Sequence, residues 1–133
     1  MIRVTKQQRA NAIEARDVMW PSVPPENVEP ALAAWRRHGS GKPSCGTVAC
    51  FGGWCAWWPG FRAQGVRADE LGAPTFGNSA MPSEASCQLF GLSEMFRSRG
   101  GSGIDRQASY ELTDHELVTH RLNWLIENSE VIE

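Results

Sequence analysis

The chain has 133 residues, of which 41% are apolar and 21% charged, and its formal net charge is −2. These values predict one folded domain over residues 1–133 and argue against a nucleic-acid binder, which needs a clustered basic face to contact phosphates. The N-terminal residues lack an apolar secretion signal and the longest uncharged apolar run is too short for a bilayer, so we expect a cytoplasmic protein that does not enter membranes.

Two helices are predicted before the first cysteine. Thr5 and Gln8 can form a capping box, in which each side chain bonds a free backbone amide, and they begin a helix that ends at Pro21. Asn27 is a suitable N-cap for a second helix over residues 28–38. A proline-rich connector therefore separates two helical segments.

The third helix, over about residues 47–58, has no charged residue and carries three tryptophans. Small side chains recur on one face of it at helical spacing, at Ala49, Gly52, Gly53 and Ala56. Each glycine costs a helix about 1 kcal/mol relative to alanine, so something must compensate. We expect another helix to pack closely against this strip, and we place the third helix at the centre of the domain.

The segment 61–82 is rich in glycine and proline and is predicted to be a long surface loop, with a weak helix near residues 68–71. Ser83 is the expected N-cap of a fourth helix that ends near Gly91. A short helical turn over residues 93–96 is expected to follow.

The last helix is predicted from Asp114 to about Asn128, with Thr113 and Glu116 as a second capping box. Its apolar stripe contains Val118, Leu122 and Leu125, widened by Leu117, Trp124 and Ile126. Its opposite face is polar and contains Glu116, His120, Asn123 and Glu127. Apart from a short strand over residues 2–4, no segment alternates long enough to predict a strand. The predicted fold class is all-α, a single compact domain of about five helices around the central helix.

A zinc site is one chemistry that the cysteines allow. Cys45 precedes the central helix and Cys50 lies in its first turn, so their sulfur atoms can approach each other and bind zinc. Further ligands would come from His38, Cys87 or His115. The simpler interpretation is that the cysteines are small apolar side chains of a tight core, without a cofactor. A disulfide between Cys45 and Cys50 is a third option, although a reducing cytoplasm opposes it.

A reactive thiol is the other chemistry. The dipole and free amides at a helix N-terminus favour the thiolate, so Cys45 or Cys50 could act as a nucleophile. Such a reaction also needs a base, for which His115 is a candidate. Because nothing completes a catalytic set, no catalytic residue is predicted and the chain is interpreted as non-enzymatic.

Residues 45–50 (Cys-Gly-Thr-Val-Ala-Cys), followed by Gly53-Trp54, resemble the Cys-Gly-Thr-x-x-Cys-x-x-Gly-Trp signature of small uncharacterised phage and prophage proteins. The resemblance spans about residues 28–128 and includes the segments 87–92 and 121–126. It carries no established activity. It implies a protein from a mobile element, acting in the cytoplasm of a bacterial host by stoichiometric binding to a host enzyme or defence complex.

The sequence therefore predicts a protein that binds a host or phage protein, in an oligomeric state that no pattern specifies. A zinc-binding module and a thiol-dependent enzyme remain the alternatives. The partner-binding surface is predicted from arginines in or beside loops, namely Arg36, Arg37, Arg62, Arg67, Arg97 and Arg99.

Overall fold

The structure is a computed structural model. It describes residues 1–23, 48–69, 73–77, 81–97, 103–107 and 112–132. At residues 48–50 and 106–107 it describes the backbone only. The described helices are α1 (Lys6–Glu14), α2 (Val48–Trp57), α3 (Pro59–Arg62), α4 (Pro82–Phe90) and α5 (Asp114–Glu127). The described strands are β1 (Ile2–Val4), β2 (Val66–Ala68), β3 (Pro74–Phe76) and β4 (Ser129–Val131). The fold is mostly helical, but the all-α prediction was wrong because two small sheets are present. The predicted second helix lies outside the described residues.

The first helix begins as predicted. Thr5 Oγ1 accepts a hydrogen bond from the Gln8 backbone N–H, and Gln8 Oε1 accepts one from the Thr5 N–H. After α1 the backbone continues as a π-helical turn, Ala15–Met19, and then a 3₁₀ turn, Trp20–Ser22. The helical path thus reaches Pro21, where the sequence predicted its end.

The two ends of the described chain meet in one sheet. Strand β1 runs parallel to β4, with Ile2 opposite Ser129 and Val4 opposite Val131. The short strand at residues 2–4 is confirmed, and its partner follows directly after α5. Arg9 supports the pair, because its Nη1 lies 3.3 Å from Ser129 Oγ.

The segment 61–82 differs from the predicted loop. Strands β2 and β3 are antiparallel, with Val66 opposite Phe76 and Ala68 opposite Pro74. Ala68 therefore belongs to a strand, and a helix beginning there was a wrong prediction. Each strand has only three residues, which is too short for alternating polarity to be visible in the sequence.

The prediction that the third helix lies centrally is confirmed, because α2 contributes Phe51, Trp54, Cys55 and Ala56 to the buried core. The Phe51 ring contacts aromatic rings from three other parts of the chain. The ring centroids lie 5.2 Å from Trp20, 5.8 Å from Phe90 and 5.7 Å from Phe96.

Strand β3 packs against the strip of small residues at Gly52 of α2. The sequence predicted a helix as this neighbour. A Cβ atom on Gly52 would lie 2.9 Å from Pro74 Cγ and 3.5 Å from the Phe96 ring. Glycine is thus required at this position by the close approach of β3.

Helices α4 and α5 follow their predicted courses closely. α4 begins at Pro82 with Met81 as N-cap, so Ser83 does not cap it, and it ends at Gly91 with φ of 83°. The capping box of Thr113 and Glu116 begins α5 as predicted. α5 has 14 residues, and none of the described helices combines the length and apolar character that a bilayer-spanning segment requires.

Candidate functional site

An open groove of about 490 Å³ runs along the outer face of α5. The helix is held from its other side, where Leu117, Val118, Leu122 and Leu125 are buried in the core. Helical spacing places the groove residues on one solvent-facing stripe. Among the described residues, those that line the groove are His120, Asn123, Trp124, Glu127 and Asn128.

Trp124 is the aromatic residue of this groove. The sequence pattern predicted that it belongs to the apolar stripe, but the indole is only partly buried against the core and also lines the groove. Within the described part of the chain, its indole N–H has no hydrogen-bond acceptor. In contrast, Trp20 Nε1 donates to the His115 carbonyl at 2.8 Å and Trp58 Nε1 donates to Glu14 Oε2 at 3.3 Å.

Arg16 lies in the π-helical turn, and its side chain contacts a residue that lines the groove. Its Nη1 donates to Asn123 Oδ1 at 3.2 Å, and its Nε and Nη2 donate to the Asp17 carboxylate at 2.7 and 3.2 Å. The hydrogen bonds with Asp17 raise the pKa of Arg16, to which Glu127 adds a smaller attraction, and they lower the pKa of Asp17. π-Helical turns often occur at functional sites.

Other groove side chains keep unused hydrogen-bonding atoms. The Glu127 carboxylate accepts no hydrogen bond from any described residue. Asn128 Nδ2 donates to the Trp124 carbonyl at 2.8 Å, which leaves its Oδ1 as an acceptor. His120 Nε2 lies 3.4 Å from the Ile104 carbonyl, and because a carbonyl only accepts, this nitrogen is the donor of the contact. The groove thus offers several acceptors around one indole.

A buried ion pair lies beside the groove but faces the core. Arg121 Nε and Nη2 donate to Asp105 Oδ1 and Oδ2 at 2.9 and 2.7 Å, and Nη1 donates to the Arg97 carbonyl at 2.7 Å. The side chains of Arg121 and Asp105 are 0% and 7% exposed. No sequence pattern predicted this pair. Its signal was a charged residue at position 121, on the apolar side of the helix between Val118 and Leu125.

The predicted arginine surface is only partly described. Arg36, Arg37 and Arg99 lie outside the described residues. Arg62 and Arg67 are brought together, since Arg67 Nη1 donates to the Arg62 carbonyl at 2.6 Å. Arg97 is exposed on the turn after α4. The use of these arginines in partner binding stays a prediction.

Arg62 also has a structural contact. Its Nη1 donates to the Ala56 carbonyl at 2.9 Å, in the last turn of α2. A cation at the carboxyl end of a helix stabilises the unpaired carbonyl groups there. This arginine therefore contributes to the end of the central helix.

The predicted zinc site is only partly described. His38 and Cys45 lie outside the described residues, and only the backbone of Cys50 is described. Cys87 is exposed on α4, and His115 Nε2 lies 3.2 Å from both the Trp20 and Val23 carbonyls. Because carbonyls only accept, that nitrogen holds the proton and only Nδ1 could bind a metal.

Among the described residues, no group of three or more His, Cys, Asp or Glu side chains is placed to hold a metal ion. The zinc site stays a prediction.

The Cys55 thiol lies in an environment that disfavours its ionisation. This residue is fully buried in α2, and burial raises the pKa of its thiol well above the ordinary value. The side chain therefore stays a neutral thiol, as the packing interpretation of the cysteines expects. A thiolate at Cys45 or Cys50 stays a prediction.

Comparison with known proteins finds no family model, no curated protein and no solved structure that matches this chain. The case for a binding site therefore rests on the geometry of the groove.

Proposed function

We propose that this chain is a non-enzymatic binding protein whose partner docks on the groove of α5. The proposal is carried by the environment of Trp124. Its indole is partly buried and lines an open groove. No described residue accepts a hydrogen bond from its indole N–H. Tryptophan is enriched among residues that dominate binding energy, because it combines a large apolar surface with one directional donor.

The surroundings of Trp124 support an anchoring role. Its neighbours Leu122 and Leu125 are buried, so the backbone that carries the indole is fixed by the core. A fixed anchor loses little conformational entropy on binding. Arg16, Asn123 and Glu127 supply the polar rim that typically surrounds such an anchor.

The spacing of the titratable groove residues supports binding over catalysis. Glu127 and His120 are seven residues apart on one helix, which corresponds to about 10 Å along its axis. At that separation the two side chains are not within hydrogen-bond reach of each other, so they do not form the directly bonded pair of a nucleophile and its base. The open groove also leaves a reacting centre accessible to water.

The biological setting rests on the resemblance to phage and prophage proteins. On that basis we propose an accessory protein of a mobile element, acting in the bacterial cytoplasm on a host or phage protein. Inhibition of a host nuclease or defence complex is the outcome that this setting implies.

The test is partner capture from host lysate by the immobilised protein, quantified by mass spectrometry. Trp124→Ala is compared with wild type and with Met81→Ala, which removes an exposed apolar side chain outside the groove. We expect at least one protein to be enriched by wild type and by Met81→Ala, and to be reduced at least tenfold by Trp124→Ala. The circular dichroism spectra of wild type and both variants must agree, which shows that the variants are folded. The proposal fails if no captured protein distinguishes Trp124→Ala from the control.

A further inference from the structure

We propose that the groove of α5 receives a positively charged side chain, lysine or arginine, from the partner. This inference rests on the proposed binding function and specifies the chemistry of its partner. It follows from the charge of the groove, from the aromatic surface of Trp124 and from the unused acceptors around it.

Among the residues that the structure describes, the charges beside the groove leave one carboxylate uncompensated. Arg16 is engaged by Asp17 through two hydrogen bonds and by Asn123 through a third. Arg16 and Asp17 cancel, and Glu127 contributes the remaining negative charge. Arg16 attracts Glu127 through space but makes no hydrogen bond with it. Glu127 is therefore available to a cation from outside the chain.

Trp124 adds a second reason for a cation. An ammonium or guanidinium group over the face of an indole is attracted by the electrons of the ring, and tryptophan is the strongest of the aromatic residues in this respect. A guanidinium group can also stack on the ring while its N–H groups reach acceptors at the edge. Glu127 and Asn128 Oδ1 are such acceptors in the same groove.

Other occupants fit less well. A partner carboxylate would face Glu127 and be repelled by it. An apolar side chain would cover the Glu127 carboxylate without giving it a hydrogen bond, and desolvating an unpaired charge is costly. A cation satisfies the carboxylate and uses the indole face together.

The test is a titration followed by the indole ¹⁵N–H signal of Trp124 in nuclear magnetic resonance spectra. The probes are Nα-acetyl-arginine amide, its neutral isostere Nα-acetyl-citrulline amide, and Nα-acetyl-glutamate amide. We expect the arginine probe to shift the Trp124 signal to saturation, with at least fivefold higher affinity than the citrulline probe. The glutamate probe should be the weakest.

Two variants test whether Glu127 is the carboxylate that binds the arginine probe. Glu127→Gln should reduce the affinity for the arginine probe to that for citrulline. Glu130→Gln removes an exposed carboxylate that pairs with Arg3 outside the groove, and should leave the affinity unchanged. Equal affinities for arginine and citrulline, no effect of Glu127→Gln, or no shift at all would each overturn the inference.

Partner capture separates this inference from the proposed function. If Trp124→Ala abolishes capture and Glu127→Gln does not, the binding function stands and the cationic partner is refuted. If neither variant changes capture, both proposals fail. Loss of capture in both variants, together with the arginine preference, supports both.

Discussion

Trp20 and His115 are joined by two hydrogen bonds in opposite directions and by a stacked pair of rings. The Trp20 indole N–H donates to the His115 carbonyl at 2.8 Å, and His115 Nε2 lies 3.2 Å from the Trp20 carbonyl. The ring centroids are 4.8 Å apart with an interplanar angle of 20°. This contact fixes the end of the first helical segment to the first turn of α5, and thereby helps to orient the helix that carries the groove.

Replacing His115 tests this contact. We expect His115→Ala to lower the free energy of unfolding by about 2 kcal/mol, because it removes the ring stack and leaves the Trp20 and Val23 carbonyls without their donor. His120→Ala is the matched control and should cost less than about 1 kcal/mol, since His120 is only half-buried and makes one long hydrogen bond. Urea unfolding measures both. Similar losses for the two variants would contradict a special role for His115.

The ion pair of Arg121 and Asp105 predicts that removing one charge lowers the stability of the fold much more than replacing both residues together. Asp105→Ala leaves the buried guanidinium without its carboxylate and should cost about 3–5 kcal/mol. Changing both residues, as Arg121→Met with Asp105→Leu, should restore most of that loss because both charges of the pair are then removed. Chemical denaturation of the single and double variants provides the measurement. A double variant as unstable as Asp105→Ala would show that the pair acts through packing and not through charge.

The capping box of α5 predicts part of the acid sensitivity of the fold. The pKa of Glu116 lies below its ordinary value of 4.5, first because the Thr113 backbone N–H donates to its carboxylate. A carboxylate whose pKa is lower in the folded state contributes stability above the unfolded-state pKa and loses that contribution as the pH falls through the folded-state pKa. Stability should therefore decrease below about pH 4.5.

Glu116→Gln isolates this contribution. Glutamine can still accept the bond from the Thr113 N–H but does not titrate, so the variant should lose less stability than wild type between about pH 5 and pH 3. Thermal unfolding across that range makes the comparison. Parallel curves for the two proteins would assign the acid sensitivity to other carboxylates.

The environments of two cysteines predict opposite labelling behaviour. Cys87 is exposed and should react with iodoacetamide in the native protein. Cys55 is buried and its thiol pKa is raised, so it should react only after unfolding. Peptide mapping after native and denaturing labelling distinguishes them. Rapid native labelling of Cys55 would show that α2 opens to solvent.

Local signals in the sequence predicted much of the helical structure. The capping boxes at Thr5 and Thr113 and the end of α4 at Gly91 depend on residues close together in the chain, and all three are confirmed. The strands were less predictable because each has three residues and β1 pairs with a partner more than a hundred residues away. Hydrogen bonding between such distant segments leaves no local pattern.

The groove was predictable only in part. The sequence placed His120, Asn123 and Glu127 on a polar face, and all three line the groove. It assigned Trp124 to the apolar side, because an indole at the boundary of a stripe can be covered or exposed depending on its neighbours in space. Arg16 could not be linked to this face at all, since it is brought there by the packing of α1 and its π-helical turn against α5.

The parallel pairing of β1 with β4 has a consequence for the order of folding. Residues 2–4 and 129–131 can pair only after nearly the whole chain has been closed into one loop, and the entropy cost of closure rises with loop length. Helices α1 and α5, which carry local capping signals, can form before that closure. We therefore expect the β1–β4 ladder to be among the last structures to form, with the contact between chain ends absent from the transition state for folding.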